Sequence, residues 1–508
     1  MSTTKGNQSN RPSRFDVMKS NDHDLSSLFE PYVWSWFKDT FKRPSPPQAA
    51  SWPMIAKGKN TLIFSPTGSG KTLAAFLWCV NELFRMGSRH ELRDAVYVLY
   101  ISPLKALNND IQKNLLEPLK GIKEYARRTG IDVPDVRSEV RTGDTPAVKR
   151  AEMAKRPPHI LITTPESIFI ILSTLKFREA FRTVRYVIVD EIHAISDNKR
   201  GVHLSLSLER LQHLIGDNFV RIGLSATQKP LDEIAEFLGG MEDINKPRDC
   251  EIVNIGARKN LNVEVISPVD NLVEANFDAI WGSAYEKMIS MIKGHDTTLI
   301  FTNSRYKTER TALRLNELSV DIPVTVGAHH GSMSKDVRLD MENMLKSGKL
   351  DALVATSSLE LGIDVGSIDL VCQIQSPKSV SKGMQRIGRA GHLLDATSEG
   401  RLLVTDRDDL VESAVLVKAI MDSEIDNTRI PTNCLDVLAQ HVVGAVAADT
   451  WKADDLFDLF RHSRCYRDLK REHFDKTLDM LSGNYAFDME QPPYPKIMWD
   501  KVNGMSWM

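Results

Sequence analysis

The chain has 508 residues, with 65 Lys and Arg against 67 Asp and Glu and a formal net charge of -2. That balance excludes a wholesale basic coat for nucleic acid but not a local positive groove. Five scattered cysteines with no C-x-x-C pair exclude a disulfide framework, a zinc ribbon and an iron–sulfur ligand set.

The length exceeds one ordinary core and predicts about three domains. The start, "MSTTKGNQSNRPSR", is polar and rich in small residues, so residues 1–28 are expected to form a disordered tail. It has no hydrophobic leader, and no apolar run in the chain reaches membrane-spanning length. A cytoplasmic, non-membrane protein is therefore expected.

From Pro31 the runs "NTLIFS", "AVYVLYIS", "HILITT", "VRYVIVDE" and "RIGLSAT" alternate with helical stretches such as "TLAAFLWCVNELF". Strands that are nearly all apolar belong to parallel sheets covered on both faces. This alternation predicts a doubly wound α/β domain over 29–256. The rhythm restarts with "LNVEVIS", "TTLIFTN", "DALVAT", "IDLVCQIQ" and "RLLVT", giving a second α/β domain over 257–422. From 423 to 508 the strands stop. Two amphipathic helices, in "NCLDVLAQHVV" and "HFDKTLDMLSG", predict a small, mainly helical or winged-helix module. Its aromatic last stretch, "PPYPKIMWDKVNGMSWM", contains no obvious closing element.

A buried strand, a Gly-rich loop and a helix make up "NTLIFSPTGSGKTLAAF". The loop Pro66-Thr67-Gly68-Ser69-Gly70 would wrap phosphates with its backbone N–H groups. Lys71 would reach the β/γ oxygens, and the Thr72 hydroxyl would ligate Mg²⁺. Ser65 stands where the strict pattern has Gly. A Gly-rich turn ahead of a helix is the plainer alternative. Downstream, four apolar or aromatic residues deliver Asp190-Glu191 to the carboxyl end of a strand, where open α/β sheets place their sites. Asp190 would hold Mg²⁺ and Glu191 would orient or deprotonate water. The competing reading is a helix start, which also favours acids.

These two motifs open a series that resembles superfamily 2 helicases over nearly the whole chain. "SPTGSGKT" is similar to motif I, "SPLKAL" to Ia, "TTPES" to Ib, "DEIH" to II and "SAT" to III. "FTNSR" resembles motif IV, "ATSSLELGID" motif V and "QRIGRAGH" motif VI. "PSPPQAASWPMI", "KRGVHLSLSLERL" and "LDVLAQHVV" resemble the large helicase-related (Lhr) family. The resemblance implies two RecA-like domains followed by a winged helix. Family members continue into further C-terminal domains, so this chain is expected to be a truncated form or a short relative.

The resemblance also implies roles. Gln48 would read adenine, with Phe41 either stacking nearby or packing in the core. Gly362 and Asp364 would contact nucleotide from the second domain. Gln385, Arg386 and Arg389 would complete the catalytic site, the two arginines reaching across the cleft as arginine fingers. His193 would hydrogen-bond toward Ser225, Thr227 or Gln385 and so couple hydrolysis to strand gripping. Nucleic acid would lie along Pro103, Leu104, Lys105, Arg141, Thr142, Gly143, Thr164 and Pro165 on the first domain. On the second it would meet Asn303, Ser304, Arg305, His330 and Thr356. Such contacts are mainly to phosphate and sugar. The implied activity is an ATP- and Mg²⁺-dependent helicase moving 3′→5′ on single-stranded DNA, in DNA repair. The partner is single-stranded or partly duplex DNA, with RNA or an RNA–DNA hybrid left open. The competing activity is a nucleic-acid-stimulated ATPase that clamps or remodels without processive unwinding.

Overall fold

The structure, a computed structural model, describes residues 25–507 apart from 67, 104–110, 217, 227, 256–259, 322, 361–365, 367, 392–396 and 485–493. Thr67, Leu104, Lys105, Thr227, Gly362 and Asp364 thus lie outside the described residues. Residues 25–28, within the span expected as a tail, are among those described. Leu25 is buried, and the Leu28 carbonyl accepts from Asn81 and Arg85, so residues 25–28 belong to the folded body.

The first sheet is built from β1 (Asn60–Phe64), β2 (Val98–Ile101), β3 (Ser138–Arg141), β4 (Ile160–Thr163), β5 (Tyr186–Val189), β6 (Val220–Ser225) and β9 (Cys250–Asn254). Its order is β3-β4-β2-β5-β6-β1-β9, and every pairing is parallel. A two-stranded ribbon, β7 (Met241–Asp243) and β8 (Lys246–Pro247), precedes β9. The interior strands β2 and β4 are buried throughout, while the edge strand β3, Ser-Glu-Val-Arg, is half-exposed. That polar edge and the short β9 escape a search for all-apolar runs.

The second sheet has the order β10-β15-β14-β11-β13-β12 and is also parallel. Its strands are β10 (Leu261–Ile266), β11 (Thr298–Phe301), β12 (Val326–His329), β13 (Ala352–Ala355), β14 (Leu370–Ile374) and β15 (Ser398–Leu403). Of these, β12 lies outside the apolar runs found in the sequence: the Gly and Ala of Val-Gly-Ala-His leave too little apolar side chain to read as a buried strand.

The last part of the chain closes with a wing. β16 (Trp451–Lys452), β17 (Met498–Asp500) and β18 (Met505–Trp507) form an antiparallel sheet in the order β16-β18-β17. The aromatic tail that lacked a closing element is therefore two strands of that wing. Its three helices, Leu435–Val446, Ala453–Arg461 and Arg471–Leu481, share one hydrophobic core with the first sheet. Leu438, Val442, Phe460 and Phe474 pack with Val187, Ile192, Leu204 and Leu238. Helix Leu435–Val446 comes so close that a Cβ at Gly444 would meet the Phe169 ring at 2.7 Å. Arg178 pairs with Asp449 at 2.5 Å, Lys199 with Asp436 at 2.7 Å and Arg464 with Glu236 at 2.9 Å. The winged part thus docks on the first α/β unit, although it follows the second in sequence.

Candidate active site and nucleic-acid interface

Two groups of residues separate at the carboxyl ends of the first sheet. The loops after β1, β5 and β6 carry Pro66–Thr72, Asp190–His193 and Ser225-Ala226. The loops after the adjacent strands β2, β3 and β4 carry Pro103, Arg141–Gly143 and Thr164-Pro165. The strand order alone therefore divides the nucleotide residues from the residues expected to meet nucleic acid.

In the phosphate loop Gly68 and Gly70 have φ of +78° and +86°, which side chains disfavour. Helix Lys71–Ser88 starts directly after Gly70, so its unpaired N–H groups face the loop. Ser65 Oγ and Ser69 Oγ are 2.7 Å apart. Lys71 is buried, with Nζ 3.5 Å from the Pro66 carbonyl, and Thr72 follows in the first helical turn. Gln48 braces this loop: its amide accepts from Ser45 N–H at 2.8 Å and donates to the Gly70 carbonyl at 3.3 Å. One amide N–H and one lone pair of its carbonyl oxygen are not used by these two bonds. Phe41 is 43% exposed and rests on Trp36 and Phe37, leaving ring surface free for stacking.

Asp190 and Glu191 are both buried. The Asp190 carboxylate accepts from the Tyr100 hydroxyl at 2.5 Å and from the Glu191 N–H at 2.8 Å. Burial, then the Glu191 charge, pushes its pKa up to about 6. Glu191 has φ +49°, a left-handed conformation that non-glycine residues adopt at a cost of order 1 kcal/mol. Its Oε2 lies 3.3 Å from His193 Nε2, and neither atom has a hydrogen-bond partner among the described residues. A divalent cation fits here, because two buried carboxylates lie within charge reach of Lys71 and Glu191 Oε2 is left without a partner among the described residues. Asp190 and the Thr72 hydroxyl would hold it.

His193 Nδ1 accepts from the Ala226 N–H at 3.2 Å, so the proton of the neutral ring sits on Nε2, toward Glu191. Burial and the Lys71 and Arg389 charges push its pKa down to about 3. The contact expected with Ser225 or Gln385 is replaced by this backbone contact within the same motif. The Ser225 hydroxyl instead donates to Gln228 Oε1 at 3.1 Å, and Gln228 Nε2 donates to Ser196 Oγ and Thr428 Oγ1. Gln228 was missed in the sequence. Its position one residue past the "SAT" motif was the available signal.

The two arginines of "QRIGRAGH" differ. Arg386 is buried within the second unit. It donates to Glu360, to Gln373 Oε1 at 2.6 Å and to Asn303 Oδ1 at 3.3 Å, and lies over the Phe301 ring. Here the expectation of a second arginine finger is corrected: its donors are spent holding the second unit together. Arg389 donates to the Glu360 carbonyl at 2.5 Å, and its charge is felt at His193 in the first unit. Gln385 lines a cleft of about 570 Å³ that also touches His193 and Gln228.

The strands β11, β13 and β12 are neighbours, and their carboxyl ends carry Asn303–Arg305, Thr356 and His330. Ser304 caps helix Arg305–Leu318, Arg305 donates to Ser332 Oγ, and His330 Nε2 is 2.6 Å from Glu309. On the first unit Thr164 caps helix Pro165–Leu172. Arg141 stacks on Phe177, and Gly143 is exposed. Arg200 ties two of these loops together, donating to Glu166 at 2.6 Å and to the Pro103 carbonyl at 2.8 Å.

Residues 45–235 match the DEAD/DEAH box helicase family, 283–393 the helicase conserved C-terminal domain, and 418–507 the winged helix domain of large helicase-related protein. The chain is 49% identical to the ATP-dependent helicase Lhr-Core of Methanothermobacter thermautotrophicus over 94% of its own length and 55% of that relative's. Its likeness is to the Lhr family. Another relative, the Lhr helicase/uracil glycosylase of Escherichia coli, is 41% identical over 95% of this chain and 34% of its own. The structure of Mycobacterium smegmatis helicase Lhr bound to ssDNA and AMP-PNP superposes with a TM-score of 0.85. It shares 42% identity and covers 95% of this chain and 61% of that one. The chain spans just over half the length of the Lhr-Core relative. No described helix is long and apolar enough to cross a membrane.

Proposed function

We propose that this Lhr-like chain is an ATP-driven nucleic-acid helicase, moving 3′→5′ on single-stranded DNA and unwinding duplexes during repair in the cytoplasm. The carrying observation is the buried Asp190–Glu191 pair, which feels the Lys71 charge of the phosphate loop, with His193 beside it within electrostatic reach of Arg389 from the second unit. Lys71 and the loop N–H groups would bind the phosphates. Mg²⁺, arriving with ATP, would screen charge on the β/γ oxygens. Glu191 would take the proton of the attacking water, and Arg389 would stabilise charge on the transferring group only when the two units close. Because hydrolysis then depends on closure, each turnover moves the β11–β13–β12 loops relative to the β2–β3–β4 loops, and with them the bound strand. The likeness to the mycobacterial helicase bound to ssDNA and AMP-PNP supports this reading.

Strand displacement tests it. Duplexes with a 3′ tail should be separated with ATP and Mg²⁺, and those with a 5′ tail should not. ATP turnover stimulated by single strands without displacement would establish the clamp or remodelling activity instead. Preference for a matched RNA strand would reassign the substrate.

A further inference from the structure

The segment that leaves the second unit for the winged part crosses the cleft between the two sheets. Asp426 Oδ2 accepts from the Ser379 hydroxyl and from Val380 N–H, both at 2.9 Å. Those groups start helix Val380–Ile387, which leads into Arg389. The carboxylate therefore caps that helix from outside it and meets the positive end of the helix dipole. One residue further on, Asn427 bridges to Lys229 of the first unit, and Thr428 N–H donates to the Lys229 carbonyl at 2.6 Å. The Thr428 hydroxyl accepts from Gln228, whose other bonds go to Ser225 and to Ser196. Two peptide bonds thus separate the anchor on the second unit, Asp426, from the anchor on the first, Thr428. Beyond it the winged part is fixed to the first unit by a shared core.

We infer that the Asp426–Thr428 segment is a pivot that sets how the helix carrying Arg389 approaches Glu191, with Asp426, Thr428 and Gln228 as positioning residues for hydrolysis. The second unit is held at Asp426 and the first at Thr428, so closure is a rotation about the two peptides between them. Through Gln228 the pivot also reaches the "SAT" turn on which His193 rests. All three line the cleft beside His193 and Gln385 and lie outside the phosphate loop. Their effect is on the rate of the closed state, not on ATP capture.

This inference rests on the proposed ATPase activity, and the full-length chain tests both. A parent protein without single-strand-stimulated ATP turnover defeats the activity itself. With an active parent, Asp426→Ala should cut the stimulated kcat tenfold or more, leave KM for ATP within twofold and leave the thermal midpoint nearly unchanged, since the side chain is exposed. Asp426→Asn, which keeps an acceptor oxygen, should recover part of the rate. One glycine inserted between Asp426 and Asn427 keeps both anchors but slackens the strap, and should lower kcat at constant KM. A kcat within twofold of the parent for both Asp426→Ala and the insertion overturns the inference. So does a loss that tracks stability and is not recovered by Asp426→Asn. If Asp426→Ala does not fold, the insertion and Thr428→Val decide by the same kcat and KM criteria.

Discussion

Glu191 stands on the first α/β unit and Arg389 on the second, and each makes a separable claim. Glu191→Gln keeps size and burial but removes the base. ATP-analogue binding should stay within about threefold while turnover falls by about 10²-fold or more, the range for a general base. Near-normal turnover would remove Glu191 from that role. Arg389→Ala should leave the thermal midpoint intact and cut turnover by a similar factor. Arg386→Ala should do something else: it strands the buried Glu360 carboxylate and should destabilise the second unit by about 3–5 kcal/mol, read as a lowered midpoint. At this scale the sequence is informative about which residue types serve the phosphates, because strand, glycine loop, lysine and strand-end acids follow one another in the chain. It says little about which of two arginines faces outward. Glu360, Gln373 and Asn303, the partners that claim Arg386, lie 13 to 83 positions away.

Helix Leu435–Val446 carries His441 into a fully buried site between Phe169 and His203. Arg210 stands over the Phe169 ring, and Glu166 is the one acid whose charge acts on His203. Burial, with His203 and Arg210 nearby, holds His441 well below 6.5, and burial pushes His203 down to about 4. Both rings are therefore neutral when docked and prefer a proton when exposed. The unfolded chain binds more protons below pH 6.5, so the stability of this contact is complete above that value. It falls as the pH drops from about 6.5 toward 4. His441→Leu should flatten that decline in pH-dependent unfolding, and an unchanged acid slope would assign the loss elsewhere. Apolar spacing made the helix visible in sequence, but not its partner: the complementary groove is built from residues 165–215, more than two hundred positions earlier.

Among the described residues the winged part does not stand apart from the first α/β unit. The first sheet and the winged part share one core, while the second sheet has cores of its own. Hydrogen exchange should therefore show helix Leu435–Val446 opening together with β5 and β6, at a free energy distinct from that of β11 and β14. Exchange of that helix in step with the second unit would show the docking to be weak. Sequence rhythm marked three segments because it follows the chain, and it has no access to packing between remote segments. The strand order that parts nucleotide loops from strand-binding loops was hidden for the same reason. The shared core also bears on synthesis. Chains generally fold from the N-terminal domain first as they leave the ribosome, yet the face around Phe169 and His203, on which His441 and Gly444 pack, is not covered until helix Leu435–Val446 has been made. The first unit must wait, half-finished and adhesive, while the whole of the second is translated. Shielding by the translation machinery or a chaperone during that interval would matter more to yield than the stability of the finished protein.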